Sequence, residues 1–191
     1  MSADDFANEV KFVETIVEEF PAVSNTTGRF ALIVFSDTVE IMFDYDDFEF
    51  ERDAIIAKLQ SGDITHEAGK TVTGAAMDMT HSILNKADRG FGDSEDFTSV
   101  VIIVTDGRAT DESSVEVNAA ALHATGAEVF AIGIGSRITA EVSALNSLLS
   151  STLVQIYFFP PMFSSTDMPA ANSTPSAHQT ILCANAYRLH V

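Results

Sequence analysis

Cysteine occurs once in the 191 residues, at Cys183. No internal disulfide can staple the fold, and cysteine usage assigns no redox compartment. Basic residues are scarce: 10 Lys and Arg against 28 Asp and Glu leave a formal charge of -18. A polyanion repels nucleic acid and anionic membrane surfaces, which excludes both as partner classes. Basic partners or divalent cations fit better, beside the plain reading of an acidic solvated surface. No apolar run approaches the roughly 20 residues that span a bilayer. Residues 1–20 show no basic segment leading into an apolar one, so no signal peptide is read there. Enzyme signatures are missing too. There is no Gly-x-Ser-x-Gly elbow. Gly69-Lys70-Thr71 has Ile64 where a phosphate loop needs its first glycine, and Gly133-Ile134-Gly135 lacks the third glycine of a dinucleotide fingerprint. His66, His81, His123, His178 and His190 are scattered without metal-ligand spacing.

What is present is globular. Hydrophobic content of 46% with 20% charged residues argues against wholesale disorder, and the length fits one domain with its own core. Phe6, Val10, Val13, Ile16, Val17 and Phe20 recur at three- and four-residue steps, the stripe of an amphipathic helix that Pro21 ends. Arg29 to Phe35 is a nearly continuous apolar run, as in a strand buried on both faces. The Ser36-Asp37-Thr38 turn leads to Val39, Ile41 and Phe43, which alternate with polar neighbours as a second strand in a hairpin with the first. Helices are expected over Phe50–Leu59, Thr71–Lys86, Ser114–Thr125 and Thr139–Leu149, and strands over Val100–Thr105, Val129–Ile134 and Val154–Phe159. Beyond Pro160-Pro161 the pattern dissolves into Ser, Thr, Pro and Ala. Asn25-Thr26-Thr27 and Asn172-Ser173-Thr174 match the glycosylation sequon, the second followed by Pro175.

Buried strands alternating with amphipathic helices predict an α/β sandwich with a mostly parallel sheet. Ligands bind such sheets beyond the carboxyl ends of the strands, which directs attention to loops such as Asp106-Gly107.

Three stretches resemble the von Willebrand factor A-type (vWA) domain family: RFALIVFSD (Arg29–Asp37), GKTVTGAAM (Gly69–Met77) and VVIIVTDGRATD (Val100–Asp111). Their order and spacing, with EVFAIGIG (Glu128–Gly135) following, extend the resemblance over residues 1–160. The resemblance implies a Rossmann-like fold and a non-enzymatic protein-binding or adhesion role. It also implies a metal ion-dependent adhesion site that holds Mg²⁺, or Mn²⁺ or Ca²⁺, through oxygen ligands. By that resemblance the metal positions are Thr71 and Asp106, and the protein ligand completes the shell with its own Asp or Glu. Without the family context, Thr71 reads as a helix cap and Asp106-Gly107 as a strand-ending turn.

The family's Asp-x-Ser-x-Ser run occurs nowhere in the chain. Met1 to Phe6 resembles the continuation of that motif. The expectation is therefore a chain that starts just downstream of it, at an internal methionine, without the family's first, central strand. Such a chain would bind Mg²⁺ poorly. The flanking strands, Arg29–Phe35 and Val100–Thr105, would pair directly or leave a gap for another chain. Residues 161–191 are read as a Ser/Pro-rich segment with a degenerate last helix near Phe163–Ala184, interrupted by Pro169 and Pro175. The resemblance implies an extracellular location. The alternatives are a cytoplasmic subunit of a larger complex, or a truncated product without independent function.

Overall fold

The computed structural model describes residues 3–20, 28–47, 51–65, 69–85, 97–105, 109–134, 157–159 and 179–187. Among these, helices α1 (Ala3–Glu19), α2 (Arg52–Gln60), α3 (Thr73–Leu84) and α4 (Glu112–Ala124) cover a mixed sheet. Its strands are β1 (Gly28–Phe35), β2 (Val39–Phe43), β3 (Phe97–Thr105), β4 (Glu128–Ile134), β5 (Tyr157–Phe159) and β6 (Gln179–Tyr187).

The continuous apolar run of β1 has the meaning expected of it, since all eight of its residues are buried. Side chains alternate between faces along a strand. Ala31, Ile33 and Phe35 therefore enter one core with Ala76, Met77, Ile83 and Leu84 of α3 and Val115, Ala119 and Leu122 of α4. Phe30, Leu32 and Val34 enter the other, with Phe6, Val13 and Val17 of α1 and Ile55 and Leu59 of α2. The second core is closed near its rim by Phe20 and Phe30, whose rings meet edge-on at 5.0 Å, and by the Arg52 guanidinium, which donates to the Phe20 carbonyl. Gly126, at φ 78°, ends α4 in the left-handed conformation that costs glycine least.

The strand order is β2-β1-β6-β3-β4-β5. Here the structure corrects three expectations. The central position is neither empty nor closed by direct pairing of β1 with β3, because β6 lies between them, antiparallel to both. Its register is continuous, so that Ile33, Ile181 and Ile103 form one row and Leu32, Leu182 and Ile102 the next. The sheet is consequently mixed rather than mostly parallel. Among the described residues β3–β4 and β4–β5 pair in parallel, while β1–β2, β1–β6 and β3–β6 are antiparallel. Finally, the last six residues of the expected helix over Phe163–Ala184 belong to strand β6. Two facing strand edges with unpaired N–H and C=O groups outweigh the local helix preference of a segment such as Gln179–Tyr187. The remainder of that helix, the expected helix over Thr139–Leu149 and both sequons lie outside the described residues.

Candidate functional site

β1 and β3 point the same way and finish level with each other on either side of β6, Phe35 opposite Gln179 and Val104 opposite Thr180. The turn leaving β1 is tied by the Ser36 N–H, which donates to the Thr38 carbonyl at 2.9 Å. Two bonds join this turn to the loop that opens α3. The Val72 N–H donates to the Ser36 carbonyl at 3.2 Å, and the Lys70 N–H donates to the Asp37 carboxylate at 2.9 Å. Gly69 makes the second possible, because a Cβ there would stand 2.9 Å from Asp37 Cγ and Oδ2.

Thr71 sits between these attachments and is buried. Its carbonyl accepts the Thr110 N–H at 2.8 Å and the Thr110 hydroxyl at 3.2 Å. The three stretches that carried the family resemblance therefore meet around one residue. The capping role considered for Thr71 is not found: α3 begins at Thr73 with Val72 in the cap position. The N-terminus of α3 is satisfied instead from α4, where Asp111 Oδ2 accepts the Ala75 N–H at 2.9 Å and the Ser114 hydroxyl at 3.0 Å. Asn118 Nδ2 adds a bond to the Gly74 carbonyl at 2.8 Å. Asp111 Oδ1 is buried without a hydrogen-bond partner.

Sequence reasoning missed Asp37, Asn118 and the reach of Asp111. The signal that points to Asp111 is an acid directly before Glu112-Ser113-Ser114 at a helix start, although its side chain makes no cap bond to α4 itself. Asp106, the second expected metal position, lies outside the described residues.

Beside Ser36 opens a shallow cleft lined by Thr38, Glu40, Asp63 and Thr65, among others. Hydrogen bonds from Lys58 and then Ser61 hold the Asp63 carboxyl below its ordinary range. Mg²⁺ demands near-octahedral oxygen coordination. Among the described residues no group of three or more His, Cys, Asp or Glu could hold a metal ion. The described side chains, with Thr71 as an uncharged hydroxyl donor, do not make up such a site. No helix among the described residues is long and apolar enough to cross a membrane.

Comparison with known proteins finds several relatives. The mouse "Sushi, von Willebrand factor type A, EGF and pentraxin domain-containing protein 1" is 28% identical over 151 residues, covering 77% of this chain and 4% of that protein. The human collagen alpha-6(VI) chain is 29% identical over 123 residues, covering 64% of this chain and 5% of the collagen. Mouse vitrin is 28% identical over 134 residues, covering 70% and 19%. The chain thus spans a small fraction of each relative.

Among solved structures, proximal thread matrix protein 1 of the mussel byssus superposes with a TM-score of 0.63 at 25% identity, covering 74% of this chain and 35% of its own. A form of that protein with a zinc-occupied MIDAS motif superposes at 0.65, covering 80% and 38%; at 22% identity it speaks for the fold alone. The von Willebrand factor type A domain profile matches residues 1–170, and the chain belongs to that family.

Proposed function

We propose that this chain is a non-enzymatic protein-binding module of the adhesion type, acting in an extracellular setting through the end of the sheet where β1 and β3 finish. The observation that carries the reading is the convergence of Ser36-Asp37, Lys70–Val72 and Thr110 on Thr71, held by backbone bonds from two sides. A surface fixed in this way loses little conformational freedom on binding, which favours affinity. The relatives, which include a collagen chain and a byssal matrix protein, are in keeping with such a role.

By resemblance to the family's motifs, Thr71 and Asp106 are the metal positions. A bound Mg²⁺ would supply an open coordination position for a partner's carboxylate. With no Asp-x-Ser-x-Ser run in the chain, these two residues hold an ion weakly, and recognition leans on the protein surface itself. The charge of -18 favours a partner presenting a basic face.

The test is to immobilise the chain and pass a solubilised extracellular-matrix extract over it, in MgCl2 and then in EDTA. Saturable retention of a defined protein in both buffers, lost in Asp37→Ala, is the expected result. Retention that vanishes in EDTA, together with saturable heat on titrating MgCl2 into the chain, would overturn the weak-site part. No retention in either buffer would overturn the binding reading.

A further inference from the structure

The strand at the centre of this sheet comes from outside the residues matched by the family profile. That match ends at residue 170, whereas β6 spans Gln179–Tyr187. Among the described residues, β6 pairs with no strand next to it in sequence. It is held on one edge by β1, from Gly28 opposite Ala186 to Phe35 opposite Gln179, and on the other by β3, from Phe97 opposite Tyr187 to Val104 opposite Thr180. Taken away, it would leave β1 and β3 facing each other with unpaired backbone groups. Fully buried residues such as Ala31, Leu32, Ile33, Val101 and Ile103 line that slot.

Such a slot recognises any extended segment of suitable side chains, since main-chain bonds supply the affinity. β6 of a second copy satisfies it as completely as the chain's own. The preceding strand, β5, ends at Phe159, so residues 160–178 join the two. Fully extended, this connection reaches roughly 60 Å at ~3.3 Å per residue, enough to enter a neighbouring molecule. Concentration then chooses between the two sources, since the chain's own tethered strand competes by mass action with that of a neighbouring copy.

We propose that the slot between β1 and β3 is a strand-binding site, and that two copies of this chain exchange Gln179–Tyr187 to form a strand-swapped dimer. Every ladder bond of the monomer is kept, and only the connection changes course.

Cys183 makes the exchange measurable. It stands in register between Ala31 and Val101, both fully buried, and it is the sole cysteine of the chain. The full-length chain, in reductant, is concentrated, warmed toward its unfolding transition, cooled and sized by light scattering. A dimer whose yield rises with concentration, and which reverts slowly on dilution, is the expected result. In parallel, a biotinylated peptide of residues 179–187 carrying Cys183→Ser is added in excess to the full-length chain. It should be captured, and the chain's own Cys183 should become reactive to a thiol reagent in step. The same peptide with Ile181→Pro and Leu182→Pro loses ladder donors and should be retained about tenfold less. A chain that stays monomeric, captures no peptide and keeps Cys183 protected would overturn the proposal. So would equal capture of the proline peptide, or a dimer that dissolves on adding more reductant.

Discussion

The carboxylate of Asp111 accepts the backbone N–H of Ala75 at 2.9 Å, so a residue that precedes one helix caps another. This bond fixes the start of α3, and with it the loop that holds Thr71, against the start of α4. Removing it in Asp111→Ala should cost about 1 kcal/mol, the usual loss for a helix cap, while Asp111→Asn, which keeps an acceptor, should cost less. Urea unfolding of the two variants measures the difference; equal losses would show that the cap is not the cause.

Gly74 is the companion of that bond. A Cβ at this position would lie 2.2 Å from the Ser114 hydroxyl and 2.9 Å from Asp111 Oδ2. Gly74→Ala should therefore destabilise the fold by about 1–3 kcal/mol through overpacking. Adding Ser114→Ala should recover only part of the loss, because the Asp111 contact remains. Full recovery in the double variant, by thermal or urea unfolding, would contradict this.

Asp37 acts on the other side of the Thr71 loop. With its carboxylate removed, the Lys70 N–H loses its acceptor, and the bond it made is worth about 1 kcal/mol. Asp37→Ala should then speed hydrogen exchange at Lys70 by roughly fivefold, with little change at the centre of β1. Exchange slowed or unchanged at Lys70 would count against the role given to Asp37.

In the sheet, Leu32 is fully buried in the core under α1 and α2. Leu32→Ala should cost about 2–5 kcal/mol, the sum of lost transfer energy and a cavity that the flanking ladders keep from collapsing. Chemical denaturation provides the measurement.

The pH dependence follows from two carboxyls. Hydrogen bonds from Lys11, at 2.8 Å, and then Gln60, at 2.6 Å, hold Glu14 below its ordinary value of 4.5. Lys58 and Ser61 hold Asp63 below 3.8. Both contributions are complete above those ordinary values, and are lost as pH falls through the lower values of the folded state. Lys11 is raised by the same pair, so its contribution is complete below 10.5 and fades as pH rises through the folded value. Glu14→Gln should flatten the acid limb of stability against pH below the ordinary value of 4.5 and leave its remainder parallel. An unchanged acid limb in urea titrations would refute it.

Much of this fold was legible because its signals are local. The stripe from Phe6 to Phe20 gave α1, the apolar run of Arg29–Phe35 gave β1, and Gly126 marked the end of α4. Strand β6 was not legible, for a physical reason. What stabilises Gln179–Tyr187 as a strand is a pair of partners far away in sequence, which no local pattern records. The same holds at the site. Thr71 could be found from its motif, whereas the bonds from Asp37, Thr110 and Asp111 that shape its surroundings cross between loops and leave no periodic trace.

Because β6 is synthesised after every strand it joins, the growing chain must carry β1 and β3 through translation with their facing edges unsealed. Folding can therefore close this sheet only from the last strand inward, as a step of high contact order. A ribosome-stalled chain ending before Gln179 is the species that would expose that dependence.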